Sequence, residues 1–388
     1  MIKKRNLIFI IMFIPFMLEL NFLIPITSIY GVLVRRIILA DAVIILFYNL
    51  KRLTKCSAIT KCILLFCTLV FIFTCLNHNS LFVALYYSTT LGGFAVLIDM
   101  QMREDPVFVA KFVTRTYGMI LIMTLCFQLL APTAFGVAAT SGNNYNFWVS
   151  DNEMGYVYIP LMVASACADY WKNNRLTKKT AVLILISLLS VLLAWSGTCV
   201  IGMLIMTLGF VLAVLDIKNI DFRKLFTIAV VLSLGILVFR IQDIFSEIIV
   251  GFLHKDLTFT GRIYAWDLAI KRIVENMFVG YGTINGGRLT IFDVWANTDS
   301  VSAHSYILEI TLQGGLVGLG AIVTAYIVAG SKLLKNKDTQ LCIFISFAVF
   351  AMLIMYITEG WVYHTFQYII LYFAYYAYSF INKEAIEC

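Results

Sequence analysis

Charge is scarce in this chain. Only 13% of its 388 residues are Asp, Glu, Lys or Arg, against about 25% in a soluble globular protein. That shortage excludes an ordinary soluble domain with a polar surface. Histidine is scarcer still. Four widely spaced histidines argue against a dedicated metal site, which gathers several ligands. The nine cysteines include no Cys-x-x-Cys pair, and Cys56, Cys62 and Cys67 are too irregular for a zinc finger. Most cysteines fall within apolar runs, where the thiol packs as a small hydrophobe. No glycine-rich stretch ends in Gly-Lys-Ser/Thr, and none has the dinucleotide-binding Gly-x-Gly-x-x-Gly between strand and helix. No cofactor and no metal are therefore expected. A convincing pair of internal repeats, of the kind many transporters carry, is also missing.

What remains is overwhelmingly apolar. The chain is 61% hydrophobic, and its mean hydropathy is +0.90. The apolar runs are continuous, whereas a membrane β-barrel needs short alternating segments. The expected fold is an all-α polytopic membrane protein, a single integral-membrane domain over 1–388. About twelve transmembrane helices are read, near 7–27, 30–50, 60–76, 81–99, 114–131, 153–170, 180–196, 198–215, 225–240, 303–330, 340–358 and 362–380. The run 180–215 is too long for one crossing of about 20 residues, and Ser196-Gly197 supplies a break. Lys3, Lys4 and Arg5 before the first apolar run resemble the start of a signal peptide. The membrane segments that follow favour a retained first helix.

Sidedness follows from the basic residues. The net charge of +7 does not signal nucleic acid, because most Lys and Arg collect in short loops on one predicted side. With that side cytoplasmic, both termini are cytoplasmic in a bacterial cytoplasmic membrane. Arg35, Arg36, Arg240, Lys255, Arg262, Lys271, Arg272 and Arg288 then fall at the outer edge or in the one long polar insert, 241–302, between helices nine and ten. The insert is expected to be extracytoplasmic. Within it, 263–275 has helical periodicity: Ile263, Trp266, Ile270 and Ile273 share a face, and Asp267 can pair with Lys271 four residues on. A helix lying along the membrane surface fits. It either roofs a cavity or simply anchors.

Several residue types suit a site there. Arginine's planar fork holds phosphate oxygens bidentately. Arg35, Arg36, Arg240, Arg262 and Arg288 are candidates for that role, and each has headgroup contact or snorkelling as the plain alternative. His304, at the junction of insert and helix, can accept a proton near neutral pH; an interfacial histidine bonded to a neighbouring loop is the alternative. Glu309 follows on the same helix. Glu359 and His364 form a second polar pair in an outer turn, suited to orienting an acceptor or to a structural network. The glycines of Gly280-Tyr281-Gly282 and Gly286-Gly287 suit tight turns or close backbone approach.

The ordered combination resembles the O-antigen ligase/polymerase superfamily, most of all the bacterial polysaccharide repeat-unit polymerases. It consists of the long loop after about nine helices, Thr260-Gly261-Arg262 with Trp266, Gly280-Tyr281-Gly282, and Ala303-His304-Ser305-Tyr306 with Leu308-Glu309 and Gln313-Gly314-Gly315-Leu316-Val317-Gly318. The likeness covers mainly 180–320. Ser305 stands where many relatives have Asn, and Ser196-Gly197-Thr198 lacks the arginine that many carry there. The resemblance implies a glycosyltransferase that polymerises polyprenyl-pyrophosphate-linked oligosaccharide repeats into O-antigen, capsular or exopolysaccharide. It assigns catalysis to His304 and Arg262. The residues read at the outer edge, Arg288, Arg240, Arg35, Arg36, Glu359 and His364, are the expected substrate or pyrophosphate contacts. Lipid-linked oligosaccharides, membrane lipids, a flippase and a chain-length regulator are the implied partners. A ligase that moves the glycan to another acceptor is the near alternative, and a transporter of polysaccharide or lipid-linked substrate is the non-enzymatic one.

Overall fold

The computed structural model describes residues 3–18, 29–133, 150–241, 244, 247–252, 262–283, 291–293, 298–300, 302–360 and 362–382. Helices dominate it. In chain order they are α1 (Lys4–Met17), α2 (Ile29–Tyr48), α3 (Ala58–Leu76), α4 (Leu81–Glu104), α5 (Pro106–Leu130), α6 (Met154–Asn173), α7 (Lys178–Ala194), α8 (Gly197–Val214) and α9 (Phe222–Leu237). After them come α10 (Arg262–Glu275), α11 (Tyr306–Leu334), α12 (Gln340–Met355), α13 (Ile369–Tyr375) and α14 (Ala377–Ile381). Two three-residue strands, Ile291–Asp293 and Thr298–Ser300, pair antiparallel within the insert.

Five of these helices, α3, α4, α5, α8 and α11, are long and apolar enough to cross a membrane, and α12 is a shorter apolar helix. The chain is a polytopic membrane helical bundle. Its centre is built from helices that are apolar on every side, as a helix surrounded by other helices must be. In α6 every residue from Met154 to Cys167 is buried, and in α13 every residue from Ile369 to Ala374. α3 packs on α4 and α11, α8 on α12, and α5 on α6. Phe13, Phe94, Tyr117 and Phe366 interlock edge-to-face or tilted among α1, α4, α5 and the turn before α13.

Two local boundaries have clear causes. The apolar run 180–215 divides because Trp195 adopts φ 54° and ends α7. α5 starts earlier than the hydropathy suggests. Asp105 accepts the Phe108 N–H at 2.9 Å, and Pro106 occupies the first helical position, where its missing N–H costs nothing. The end of the bundle that carries this cap is rich in charge: Arg5 pairs with Glu104 at 3.3 Å, and Asp99 accepts the Ser57 N–H and the Tyr376 hydroxyl, each at 2.7 Å.

α11 is not one straight helix. At Gly315 the backbone takes φ 62°, ψ −171°, which divides it into two helical pieces. A break frees carbonyl and N–H groups that cannot be left bare in an apolar interior. The insert supplies their partners. Tyr281 N–H donates to Leu312 O at 2.7 Å, Gly282 N–H to Gln313 O at 3.0 Å, and Leu316 N–H to Met277 O at 2.8 Å. The same segment docks on the end of α3: Thr283 N–H donates to Thr74 Oγ1 at 2.8 Å, and Asn79 Nδ2 to Tyr281 O at 3.1 Å. Gly280 and Gly282 both have positive φ, and a Cβ on Gly282 would overlap the Thr74 backbone. Close backbone approach is thus what these glycines permit.

Candidate functional site

The site lies at the end of the bundle where α9, α11 and α12 meet the insert. α10 covers it. Its buried residues are Ala265, Trp266 and Ala269, and Ile263, Ile270 and Ile273 pack on the same cluster with Leu237, Leu308, Leu312 and Ile357. The apolar face read from the sequence is therefore the face that packs. Asp267 does not turn to Lys271. It forms an ion pair with Arg240, whose guanidinium also lies 5.4 Å from the Trp266 ring centroid. A tertiary partner combined with a cation–π contact outweighs a solvent-exposed helix pair worth a few tenths of a kcal/mol.

α10 begins with Arg262, and that position aims its side chain under the roof. Its Nη1 donates to Thr358 O at 2.5 Å and to Glu359 Oε1 at 3.1 Å. Glu359 is 2% exposed and Arg262 19%. Thr198 Oγ1, from the first turn of α8, adds a bond to Glu359 Oε1 at 3.3 Å. Burial drives the Glu359 carboxyl above the usual range, while Arg262 and Thr198 pull it back. Tyr156 lies in the first turn of α6. Its buried hydroxyl has no hydrogen-bond partner among the described residues.

Beside Glu359, the residues before α11 form a second knot. Glu309 Oε1 accepts the Ser302 hydroxyl at 2.6 Å and the Ala303 N–H at 2.8 Å. Ser302 Oγ in turn accepts the His304 N–H at 3.0 Å. His304 adopts φ 49°, a region that non-glycine residues seldom occupy and that clusters at functional sites. A Cβ on Gly360 would lie 3.1 Å from both Glu309 Cγ and Ser302 Oγ, so the Glu359-Gly360 turn rests directly on this knot. Tyr306 locks it to α12, with its ring stacked on Tyr356 at 4.0 Å and its N–H on Tyr356 O at 3.0 Å.

Arg262 pairs with Glu359, and the adjoining Gly360 rests on the Glu309–Ser302 knot that holds the His304 N–H. Glu359 and His364 take different partners: His364 Nε2 lies 3.5 Å from Glu153 Oε1, at the start of α6. Arg240 is bound into the packing of α10. Arg35, half-buried, and Arg36, exposed, stand on α2, which packs chiefly on α4 and α1. Arg288, Thr260-Gly261 and Gly286-Gly287 lie outside the described residues. Thr198, Glu153 and Glu309 also make contacts here, through Glu359, His364 and Ser302, and no motif spacing singles them out. Among the described residues no three His, Cys, Asp or Glu side chains gather as a metal-binding group.

A bundle of membrane helices with a buried arginine–carboxylate pair and a strained histidine under a roofing helix is the class of protein seen here. A family model described as O-antigen ligase matches residues 180–323. That segment runs from α7 through the break in α11 and includes Arg262, His304 and Glu309; Glu359 lies beyond it. The match supports membership of the polysaccharide-polymerase-related superfamily, without singling out a polymerase. It also supports an enzymatic role in O-antigen-related glycan processing at the membrane, with lipid-linked glycans as the general substrate class. No curated protein matches the chain.

Proposed function

We propose that the chain is a glycosyltransferase of the O-antigen ligase type, acting on a polyprenyl-pyrophosphate-linked oligosaccharide at the outer face of a bacterial cytoplasmic membrane. In this reading the bundle crosses the membrane about twelve times, both termini are cytoplasmic, and the insert is extracytoplasmic. The observation that carries the proposal is that Arg262, through Glu359-Gly360, abuts the turn of His304, whose neighbour Ala303 packs with Trp266 of α10, inside or next to the segment that the O-antigen ligase model matches.

The chemistry needs three things. The donor's pyrophosphate must be held, its developing charge stabilised, and an acceptor hydroxyl activated. Among the described residues Arg262 bonds through Nη1 to Thr358 and Glu359, and a guanidinium carries five N–H donors. The rest of its fork is suited to phosphate oxygens. His304 takes the proton of the acceptor hydroxyl. The acceptor oxygen bonds to the anomeric carbon, the bond from that carbon to the pyrophosphate oxygen breaks, and its electron pair leaves on the lipid pyrophosphate. Arginine next to the departing pyrophosphate lowers the barrier by charge stabilisation.

Repeat-unit polymerisation differs only in the acceptor, which is then a second lipid-linked repeat. The description of the matching family favours the ligase reading. Purified full-length protein in lipid nanodiscs, supplied with a defined undecaprenyl-pyrophosphate oligosaccharide and either a core-lipid acceptor or a second lipid-linked repeat, separates the readings. A glycan on the core lipid with release of undecaprenyl pyrophosphate supports the ligase. Lengthened lipid-linked chains support the polymerase. Substrate movement across the bilayer with no new glycosidic bond would mark a transporter and sink both.

A further inference from the structure

We propose that Glu309 is a positioning residue for His304, an inference that rests on the glycan-transfer reading above. Glu309 is 1% exposed, and a buried carboxylate is costly unless its oxygens are bonded. Here both are. Oε1 takes the Ser302 hydroxyl and the Ala303 N–H; Oε2 takes Gln313 Nε2 at 3.3 Å, and Gln313 Oε1 takes the Tyr363 hydroxyl at 2.6 Å.

Helix capping does not explain this arrangement. In a capping box the acid is the third helical residue and returns to the N–H of the cap itself. The cap of α11 is Ser305, whose side chain makes no cap bond. Glu309, the fourth helical residue, reaches past the cap to Ala303 and Ser302. Its carboxylate therefore organises the loop that carries His304. Ser302 completes the link by accepting the His304 N–H at 3.0 Å. The relay holds His304 at φ 49°, a conformation the chain would otherwise leave. Through Gln313 and Tyr363 the same carboxylate ties this turn to the segment that follows Gly360.

The test uses Glu309→Gln, Ser302→Ala, His304→Ala and the double variant E309Q/H304A, in full-length protein with the undecaprenyl-pyrophosphate oligosaccharide donor and the acceptor that wild type uses. Misplacing a catalytic group by about 1 Å costs up to about 100-fold in rate. Expected results are a kcat about 10- to 100-fold lower for E309Q and S302A, with donor KM changed less than about threefold. On the residual turnover of H304A, adding E309Q should cost nothing further, because a residue that acts through His304 has no route left. S302A removes one hydroxyl and keeps the test valid if E309Q fails to fold. Wild-type kcat in E309Q and S302A, with H304A reduced to its residual turnover, overturns the role of Glu309 alone. Full additivity of E309Q in the H304A background also overturns it. Wild-type activity in H304A overturns the underlying reading of His304 instead.

Discussion

Arg262 and Glu359 face each other at 3.1 Å across the junction of α10 and the turn after α12. One belongs to the polar insert and the other to the bundle, so the pair joins the roof of the site to its floor. Its worth depends on what replaces it. Removing one partner of a buried ion pair leaves a bare charge and costs about 3 kcal/mol or more, whereas replacing both with apolar residues of similar volume is often neutral. E359A and R262A are therefore expected to lower the unfolding midpoint in detergent, and R262M/E359L to recover most of it. Glycan transfer should stay lost in the double variant. Recovery of transfer together with stability would show that the pair serves packing alone.

The pH response of the same pair has a definite sign. Glu359 is raised above its ordinary carboxylate value, chiefly by burial. A folded-state value above the unfolded one means that the native state binds the proton more tightly. The resulting stability is fully present below the unfolded value and is lost as pH rises through the raised folded one. Thermal unfolding measured across that window should show a falling midpoint, and E359Q should flatten the fall. R262A removes a cause that lowers the value, so its window should move to higher pH. A midpoint that rises through the window would contradict the assignment.

Glycine at the helix break gives a third outcome. A Cβ on Gly282 or Gly315 meets backbone atoms of Thr74 or Phe278, and both residues have positive φ. G282A and G315A are each expected to cost about 3 kcal/mol or more, from overpacking combined with left-handed strain. Gly320 is the internal control: a Cβ there meets nothing within 4 Å, and Ala in a helix interior gains about 0.5–1 kcal/mol. Equal midpoints for G282A and G320A would argue against the docking of 280–283 on α3.

Much of this architecture was legible in the residues, and the exceptions share a cause. The run 180–215 divides where Ser196-Gly197 suggested, because length alone forbids one crossing. The buried face of α10 follows its periodicity, with Trp266 at its centre. Hydropathy alone starts α5 near 114, because the charged and polar residues from Lys111 to Arg115 interrupt the apolar run, whereas Asp105-Pro106 starts the helix. The break at Gly315 was invisible because its partners, Met277, Tyr281 and Gly282, come from a different segment. Local spacing allows Asp267 to pair with Lys271, while Arg240 reaches it through the fold. Glu309 stands on the same helix as His304 in the sequence, but nothing in the spacing says that it reaches backward to Ser302. Local patterns specify elements; the contacts that make the site join segments far apart in the chain.

Thr74 and Thr283 touch across 209 positions of sequence. Ribosomes add about 5–20 residues per second, so about 10–40 s separates the two threonines during synthesis. The end of α3 enters the bilayer well before the segment that will cover it exists, and the far side of that segment waits longer still for Gly315. Assembly of this end of the bundle is therefore among the last events in biogenesis. Until α11 has been threaded into place, Met277, Tyr281 and Gly282 have no break at Gly315 to dock on, so the order of translation sets the order in which this end of the bundle closes.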